Sequence, residues 1–561
     1  MVNTMKPSMS MASGVLYSFL LRILSFALSQ LTIRFVDPTT LGKASIRLEL
    51  ICSTTVLFLG REGFRVGLMR FASGNGNGNK NENENYVKDL KAKRVNNVAW
   101  LSVPVSIVFT LLALSFHLHT YRDQVSSEDQ DELDDYKLAG ILYCIASAIE
   151  ITSEPCMIQC LRTMDVKARA KAEAFASIGK AFCCVFLLTF GERKYNAASF
   201  GLAQCVYASI VSAVLYKEKL QSIEWPSFKL NFDFGVLKLC VMFCLQSIFK
   251  HLLTDGDRIV LSAIVGAYDS GVYAMASAYG GMASRLIFQP LEENGRMLFS
   301  NKHAHVMRAK EEKKENAYKL VESLENTYCI LIKFVLYIGL VFATFGSNYT
   351  AVLLRVLAGE QWGSDVQAVE ALSAFCIYTA LMSLNGMTEA FVYGVAESGF
   401  EVGSLAIAHG LVGFVFYVAA PLLVTHGGGT VGLIIANGLC MVLRSAYSLH
   451  FALSYFENDK NRGTSYTRSK FFQKLFPKPS ILAVFVSVYI VMRYSRDYFL
   501  GEVQMALLSI ETASHIGIGL GCLVIVAVFV IAFERDFGRS LQVMVSMKPT
   551  STSTSTRTKS E

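Results

Sequence analysis

Long apolar stretches follow one another along nearly the whole of this 561-residue chain, separated by short polar connections. A helix needs ~20 mostly apolar residues to cross the hydrocarbon core of a bilayer. The chain is 52% hydrophobic and only 17% charged, which is unlike a soluble globular domain. The pattern therefore predicts an all-α, polytopic membrane protein.

We predict that fourteen of these stretches are transmembrane helices. Arg22 interrupts the first one, which is also too long for the apolar core of a cleavable signal, so we predict that it is retained. The predicted spans are 13–36, 43–69, 96–118, 137–161, 172–191, 197–216, 238–265, 271–296, 319–346, 366–395, 400–424, 430–455, 480–495 and 512–533.

The polar connections divide the chain into two lobes of six helices each and a final pair of helices. The low-complexity run at 74–85 has too few apolar residues to fold, and we predict a disordered cytosolic loop over 70–94. The predicted divisions are a cytosolic N-terminus at 1–12, an N-terminal lobe at 13–216, a cytosolic linker at 217–237, a C-terminal lobe at 238–455, a cytosolic loop at 456–479, helices 13 and 14 at 480–533, and a cytosolic tail at 534–561.

Basic residues are concentrated in the connections on one side of the predicted bundle. Lys and Arg number six in 70–94, four in 162–171, eight in 285–319 and six in 460–478, whereas the opposite connections hold few of them. The positive-inside rule then places these loops and both termini in the cytosol. A glycosylation sequon at Asn348 falls on the opposite, lumenal side. The C-terminal "RTKSE" resembles a dibasic retrieval signal of the endoplasmic reticulum, which is read in the cytosol.

All thirteen cysteines lie inside predicted spans, so none is placed for pairing in an extramembrane loop. Cys156 and Cys160, like Cys240 and Cys244, are one helical turn apart, which is typical of helix packing. The chain also has no Ser/His/Asp arrangement, phosphate-binding glycine loop or nucleotide-binding pattern. We therefore expect no disulfides, no metal site and no cofactor.

A repeat of 229 residues relates the two halves of the chain. Both "FVDPTTLGKASIRLE" and "IVGAYDSGVYAMASAYG" are short turns that lead through a glycine into a helix, and aligning Gly42 with Gly271 gives this offset. The same offset sets Arg22 opposite His251 and places the charged run "KHLLTDGDR" inside the seventh span. Transporters often build a midplane site from repeated helices that are interrupted by Gly or Pro. We predict such a break, acting as a hinge, at Gly256.

Several ionisable residues lie within the predicted spans, where each costs ~2.5 to 3.5 kcal/mol and is normally paired or faces a cavity. Arg22, Arg61 and Lys250 lie deepest, and we predict that they face a substrate cavity. The alternative is a structural role, either snorkelling at span ends or, in "TDGDR", a self-neutralising cluster that holds a bent helix. The predicted substrate-binding residues are Arg22, Arg61, Glu62, Arg65, Lys250, His251, Asp257, Arg258 and Arg285. The candidate structural or coupling carboxylates are Glu150, Glu154, Asp255, Glu292 and Glu293.

Four motifs carry a family resemblance. "FLGREGFR", "LLTDGDRIVLS", "RLIFQPLEENGR" and "LNGMTEAF" resemble the eukaryotic endoplasmic reticulum family linked to translocation of dolichol-pyrophosphate oligosaccharide in N-glycosylation. That family belongs to the superfamily of multidrug, oligosaccharidyl-lipid and polysaccharide exporters. The resemblance implies two six-helix lobes and two extra helices around a central cavity, working by alternating access. It also implies that Arg22, Arg61, Arg65 and Arg285 occupy positions comparable to the cavity arginines of bacterial lipid II flippases.

The implied substrate is a heptasaccharide of five mannose and two N-acetylglucosamine units on dolichol pyrophosphate, which the family either moves itself or helps to move. A cationic cavity suits this lipid, because the planar fork of arginine binds phosphate oxygens in pairs. We therefore expect a monomeric flippase of the endoplasmic reticulum membrane. Its expected partners are this lipid and the membrane lipids, with no nucleic acid.

Three other functions remain open on sequence grounds. A multidrug or cation antiporter of the same superfamily would want an acidic cavity, whereas the first two spans present arginines opposed only by Glu62. A membrane glycosyltransferase could use Asp255 and Asp257 as a DxD motif, but its first lumenal loop would be expected to hold more acidic residues than Asp37. The third possibility is an accessory factor of the dolichol-oligosaccharide pathway.

Overall fold

The computed structural model describes residue 27 and residues 30–72, 82–124, 130–163, 165–219, 225–226, 232–312, 317–396, 399–457, 468–499 and 509–546. Nearly all of these residues are helical, and no strand occurs among them. The all-α, polytopic fold predicted from the sequence is confirmed.

Besides a helical stretch at 30–34, the described residues form twenty-one α-helices, several of which are joined by π-helical segments or short turns. The first ten are α1 (Pro38–Leu41), α2 (Val56–Ala72), α3 (Glu82–Gln124), α4 (Gln130–Thr152), α5 (Glu154–Arg162), α6 (Val166–Phe190), α7 (Asn196–Lys219), α8 (Phe234–Thr254), α9 (Gly256–Ile264) and α10 (Ala267–Ala283). The others are α11 (Gln289–Glu311), α12 (Ala317–Thr344), α13 (Thr350–Leu357), α14 (Glu360–Gly363), α15 (Val366–Val395), α16 (Gly399–Leu423), α17 (Gly429–Glu457), α18 (Arg468–Leu475), α19 (Pro479–Phe499), α20 (Ile510–Phe533) and α21 (Arg535–Ser546). The π-helical segments are Gly42–Thr55, Ser284–Phe288 and Val424–Gly428.

Ten of the described helices are long and apolar enough to cross a membrane, and the bent pair α4 and α5 raises the number to eleven. Each coincides with a predicted span. The first predicted span lies mostly outside the described residues, and the second and eighth coincide with helices that carry several charges. The count of fourteen and the lobe boundaries therefore stay predictions. Helix α3 begins at Glu82, so it occupies part of the loop predicted over 70–94.

The chain forms two compact units, the first of which is built from the described residues of Met1–Ala278, Leu353–Ala371 and Gly413–Asn437. Within this unit α4 and α7 run parallel, because hydrogen bonds join them at a constant spacing. The Cys205 thiol donates to the carbonyl oxygen of Leu142, and the Ser212 hydroxyl donates to that of Ile149, with both pairs 63 residues apart. Helix α4 is thereby fixed in register, and it carries one of the candidate carboxylates.

The two glycines that align the sequence repeat each contact the helix start of the other. A Cβ atom on Gly42 would lie 1.8 Å from the carbonyl oxygen of Ala267, and one on Gly271 would lie 1.7 Å from that of Pro38. Pro38 and Ala267 are themselves 229 residues apart, so the contact is reciprocal under the repeat. Only glycine lets two backbones approach this closely. The geometry supports the 229-residue alignment.

A short segment of the first unit caps the helical stretch at 30–34. The Trp362 indole nitrogen in α14 donates to the carbonyl oxygens of Ile33 and Val36, both at 3.0 Å. The last carbonyls of a helix lack partners within the helix, and a buried one needs a donor from elsewhere. Trp362 is fully buried and supplies that donor.

The second compact unit comprises the described residues of Tyr279–Val352, Leu372–Val412 and Gly438–Glu561. Its core is aromatic. The Tyr328 ring of α12 contacts Phe391 of α15, Phe456 of α17 and Phe471 of α18, with ring centroids 4.6, 6.0 and 6.1 Å away. Phe299 of α11 packs on the same ring. The cluster therefore joins five helices through large apolar surfaces.

Large apolar side chains stay exposed on one stripe of many helices. Successive exposed positions are spaced three or four residues apart, as expected of one helix face in contact with lipid. Examples are Phe182, Phe186 and Phe190 in α6, and Ile407, Leu411 and Phe414 in α16.

Candidate functional site

Three ion pairs join α2 and the π-helical segment before it to α4 and α5. The pairs are Lys43–Glu132 at 2.5 Å, Arg61–Glu150 at 2.6 Å and Arg65–Glu154 at 2.7 Å. The partners are 89 residues apart in every pair, so the two helical stretches run parallel and keep one register. Arg61 and Arg65 share a helix face because they are four residues apart.

The carboxylates of the second and third pairs flank a bend. Helix α4 ends at Thr152, α5 begins at Glu154, and the two axes differ by 46°. Pro155 in the first turn of α5 cannot donate a hydrogen bond back to α4, which explains the bend. The bend lies between Glu150 and Glu154, and both carboxylates still reach α2.

The two arginine pairs are largely buried. Only 2% of the Glu154 side chain and 11% of the Glu150 side chain are exposed, against 17% for Arg65 and 22% for Arg61. Removing one partner would leave the other charge buried without compensation, at a cost of ~3–5 kcal/mol. The expectation that Glu62 alone opposes the arginines of the second span is therefore wrong, because two carboxylates of the fourth span neutralise them.

Lys250, near the end of α8, is the most accessible cation of this group. Its ammonium lies 2.6 Å from the Glu62 carboxylate on α2 and 5.6 Å from the centroid of the Phe58 ring. The Lys250 side chain is 58% exposed, whereas the arginine side chains are at most 22% exposed. Lys250 is therefore more accessible than the two arginines.

Small residues bring α8 close to α2. Cβ atoms on Gly63 and Gly67 would lie 2.3 Å and 2.7 Å from the sulfur atoms of Cys244 and Cys240. Small residues at a four-residue spacing allow close helix packing within membranes. Glu62, beside Gly63, is thus held near α8, where Lys250 meets it.

The seventh span breaks where the sequence predicts, at the junction of α8 and α9. Asp255 leaves the helical conformation with φ −110° and ψ 14°, and Gly256 begins α9. The Tyr417 hydroxyl donates to the carbonyl oxygen of Leu252 at 3.0 Å, which satisfies a group freed by the break. A Cβ on Gly256 would lie 2.8 Å from that hydroxyl, so a larger residue would displace Tyr417. The hinge role of Gly256 stays a prediction.

Charged side chains around the break bind mainly to one another. Asp255 lies 3.1 Å from the Nδ1 atom of His251 and 3.9 Å from the Arg258 guanidinium. His251 is buried, and its Nε2 atom lies 2.9 Å from the Thr55 hydroxyl of the π-helical segment before α2. Asp257 accepts hydrogen bonds from the Tyr273 hydroxyl and, at 2.8 Å, from the backbone of Arg258. This geometry favours the self-neutralising cluster over a set of groups free for substrate.

The remaining predicted site residues are Arg22, Arg285, Glu292 and Glu293. Arg22 lies outside the described residues. Arg285, Glu292 and Glu293 belong to the second unit, with Arg285 in the π-helical segment before α11. Such segments often occur at functional sites of helical proteins.

The sequon is buried in the folded protein. Asn348 is 1% exposed and donates from its side-chain amide to the carbonyl oxygen of Thr344 at 2.8 Å, and Thr350 is 0% exposed. A glycan needs an exposed asparagine side chain. Asn348 is therefore a poor glycosylation site in the folded protein, and its predicted lumenal position stays a prediction.

Sequence reasoning missed three ionisable residues of the second unit, each inside a different span. Arg444 of α17 donates to Glu389 of α15, and His409 of α16 lies 3.1 Å from the same carboxylate. Glu389 belongs to the motif "LNGMTEAF". A search for every lone ionisable residue inside an apolar span would have found all three.

Comparison with models of known protein families shows which family the chain belongs to. A family model described as "Rft-1: Rft protein" matches residues 8–543. The chain belongs to the Rft protein family. The resemblance expected from the four sequence motifs is therefore confirmed.

Relatives of the Rft chain carry a common name. A protein of Schizosaccharomyces pombe named "Man(5)GlcNAc(2)-PP-dolichol translocation protein RFT1" is 27% identical, over 96% of this chain and 97% of its own length. A Mus musculus protein of the same name is also 27% identical, over 80% of this chain and 82% of its own. The likeness to the first thus extends from end to end.

Solved structures show the fold type. "Lipid II flippase MurJ, inward closed conformation" has a TM-score of 0.58 at 13% identity, covering 94% of this chain and 99% of that one. "Inward-facing conformation of a multidrug resistance MATE family transporter of the MOP superfamily" has a TM-score of 0.51 at 15% identity, covering 78% and 96%. The Rft chain therefore has the transporter fold of these proteins.

Proposed function

We propose that this Rft protein moves Man5GlcNAc2 linked to dolichol pyrophosphate from the cytosolic to the lumenal leaflet of the endoplasmic reticulum, or assists that movement, for N-glycosylation. The observation that carries the proposal is the end-to-end likeness to relatives named for translocation of this lipid. The transporter fold, similar to that of a lipid flippase, supports it. Alternating access of a polar cavity is the mechanism proposed.

In this proposal the pyrophosphate binds to cations that exchange a carboxylate for a phosphate oxygen. Lys250 makes the first contact because it is more exposed than Arg61 and Arg65, the other paired cations of this site. Arg61 follows, since among the described residues it bonds to Glu150 through Nη1, and its other two guanidinium nitrogens are left for phosphate. Arg65 donates from both Nε and Nη2 to Glu154, so we assign it the structural role of stabilising the bend between α4 and α5.

The rest of the predicted set completes the proposal. Arg22 and Arg285 supply further positive charge, and His251, Asp257 and Arg258 hold the broken helix. Three described cations and three carboxylates otherwise cancel, since Arg61, Arg65 and Lys250 are matched by Glu150, Glu154 and Glu62. An anionic headgroup therefore has to compete with the carboxylates, which favours weak, reversible binding suited to transport.

We propose that the protein is not an enzyme and acts as a monomer in the endoplasmic reticulum membrane with both termini in the cytosol. The DxD carboxylates support the first part, because Asp255 faces His251 and Arg258 while Asp257 accepts from Tyr273. A metal ion would have to displace these partners. The basic loops of the predicted cytosolic side support the orientation.

Complementation tests the proposal. In cells depleted of their own Rft protein, we expect this chain to restore glycosylation of a secreted reporter, Lys250→Gln to restore little, and Arg61→Lys to restore part, because a point charge lacks the arginine fork. The matched control is Lys180→Gln, which removes an in-span cation paired with Glu49 at 3.0 Å. No restoration by the wild-type chain would overturn the proposed pathway. Full restoration by Lys250→Gln at equal expression would overturn the proposed role of the cations.

A further inference from the structure

A separate group of ionisable side chains lies inside the second unit. Arg444 donates from Nε and Nη2 to the two carboxylate oxygens of Glu389, at 2.9 Å and 3.1 Å. The Nε2 atom of His409 lies 3.1 Å from the same carboxylate. Only 13% of the Glu389 side chain and 18% of the His409 side chain are exposed. These residues lie within apolar helices.

A second carboxylate lies against the same helix. A Cβ atom on Gly386 would lie 1.7 Å from the Oε1 atom of Glu292, so the Glu292 carboxylate of α11 rests on α15 at that glycine. Gly386 and Glu389 are three residues apart and share one face of α15. We define the four-helix charge cluster by one residue from each of α11, α15, α16 and α17: Glu292, Glu389, His409 and Arg444.

The charges of this cluster balance only if it holds one proton. With both carboxylates ionised, Arg444 charged and His409 neutral, the net charge is −1. One proton on either Glu292 or His409 brings the sum to zero. Because uncompensated charge inside a membrane is costly, the neutral, one-proton form is favoured.

We propose that the four-helix charge cluster is a proton-binding site. A hydronium ion of the solvent gives up one proton and becomes water, and the proton forms a new O–H bond on the Glu292 carboxylate or a new N–H bond on the His409 imidazole. A metal ion fits less well, because the Arg444 guanidinium occupies both oxygens of Glu389. Other ionisable groups near the cluster are Glu293 and Arg296 of α11, Tyr393 of α15 and Cys440 of α17.

The site has a direct connection to a predicted substrate cation. Arg285 precedes Glu292 by seven residues, a separation of about 10 Å along the helical stretch. Arg285 lies in the π-helical segment Ser284–Phe288, which continues directly into α11, the helix of Glu292. Proton binding at Glu292 changes the charge that Arg285 experiences, and thus its attraction for an anion.

Infrared difference spectroscopy of the purified full-length protein in detergent, without any lipid substrate, tests proton binding. The carboxylic-acid band that depends on Glu292 is obtained by subtracting the spectrum of Glu292→Gln. In His409→Gln the cluster loses its other proton acceptor and a cation, so we expect this band to persist to a pH about one unit higher than in the wild type, a tenfold change in proton affinity. His409→Asn replaces His409→Gln if the latter does not fold.

A control on α17 excludes general effects. His450→Gln removes an exposed histidine of that helix, and we expect it to leave the band unchanged. The absence of a Glu292-dependent band in His409→Gln, or equal midpoints in His409→Gln and the wild type, would overturn the proposal.

A second arm tests whether the proton serves transport, and it rests on the proposed function. In liposomes that contain the dolichol-linked heptasaccharide, we expect the translocation rate to depend on pH for the wild type and for His450→Gln, and this dependence to be lost in Glu292→Gln. A pH-dependent rate in Glu292→Gln would overturn the transport role of the site. The spectroscopic result stands independently of the lipid, so failure of the proposed function is distinguished from failure of the proton site.

Discussion

The reciprocal contact between Gly42 and Gly271 predicts a loss of stability whose size can be worked out from the structure. Gly42→Ala would place a methyl group 1.8 Å from the carbonyl oxygen of Ala267, whereas unstrained contact needs about 3.5 Å. The helix starts would have to separate by about 1.7 Å, and overpacking of this kind costs ~1–3 kcal/mol. Gly271→Ala meets the carbonyl oxygen of Pro38 in the same way and should cost a similar amount.

Thermal unfolding of the detergent-purified variants measures this cost. The matched control is Gly266→Ala, one residue before Ala267, because a Cβ there meets no atom within 4 Å. Gly42→Ala and Gly271→Ala open the same contact, so we expect the double variant to lose less stability than the sum of the two single losses. The reciprocal contact would be refuted by either of two results. One is a melting temperature of Gly42→Ala equal to those of the wild type and Gly266→Ala. The other is a double variant whose loss of stability equals the sum of the two single losses.

Three shorter predictions concern other parts of the chain. Glu154→Gln should lower the stability by ~3–5 kcal/mol because it leaves Arg65 buried without a partner, and adding Arg65→Gln should recover most of the loss in thermal unfolding. Endoglycosidase treatment should not change the gel mobility of the protein, because Asn348 is buried; a shift that Asn348→Gln abolishes would contradict that burial. The Lys219 ammonium donates to Asp165 and lowers the pKa of that carboxyl, so its stabilisation is present above about pH 4 and lost as the pH falls further; Asp165→Asn should flatten the acid side of the stability profile.

Apolar pattern and small residues predict much of this fold. The helices follow from the apolar stretches, because a helix satisfies all the backbone hydrogen bonds of a segment inside the membrane. The break beside Gly256 follows from charge and glycine within one span, and the register of the repeat follows from Gly42 and Gly271. These features depend on the local sequence, or on a glycine that no larger residue can replace.

Side-chain partners could not be predicted, because they depend on how the helices pack. Glu150 and Arg61 are 89 residues apart, and only the parallel register of their helices makes them neighbours. The expectation that Glu62 alone opposes the arginines of the second span failed for this reason. The sequon shows the same limit, since the pattern around Asn348 is visible in the sequence while its burial is a property of the packed unit.

The most direct test of the account is the translocation rate in liposomes that contain the purified protein and dolichol-linked heptasaccharide, scored by accessibility of the sugar to an external lectin. We predict that the wild-type protein raises the rate well above that of protein-free liposomes, that Lys180→Gln retains this rate, and that Lys250→Gln loses most of it. Lys250 is suited to this test because its exposed side chain can be shortened without leaving a deeply buried charge. A wild-type rate equal to that of protein-free liposomes would contradict direct translocation.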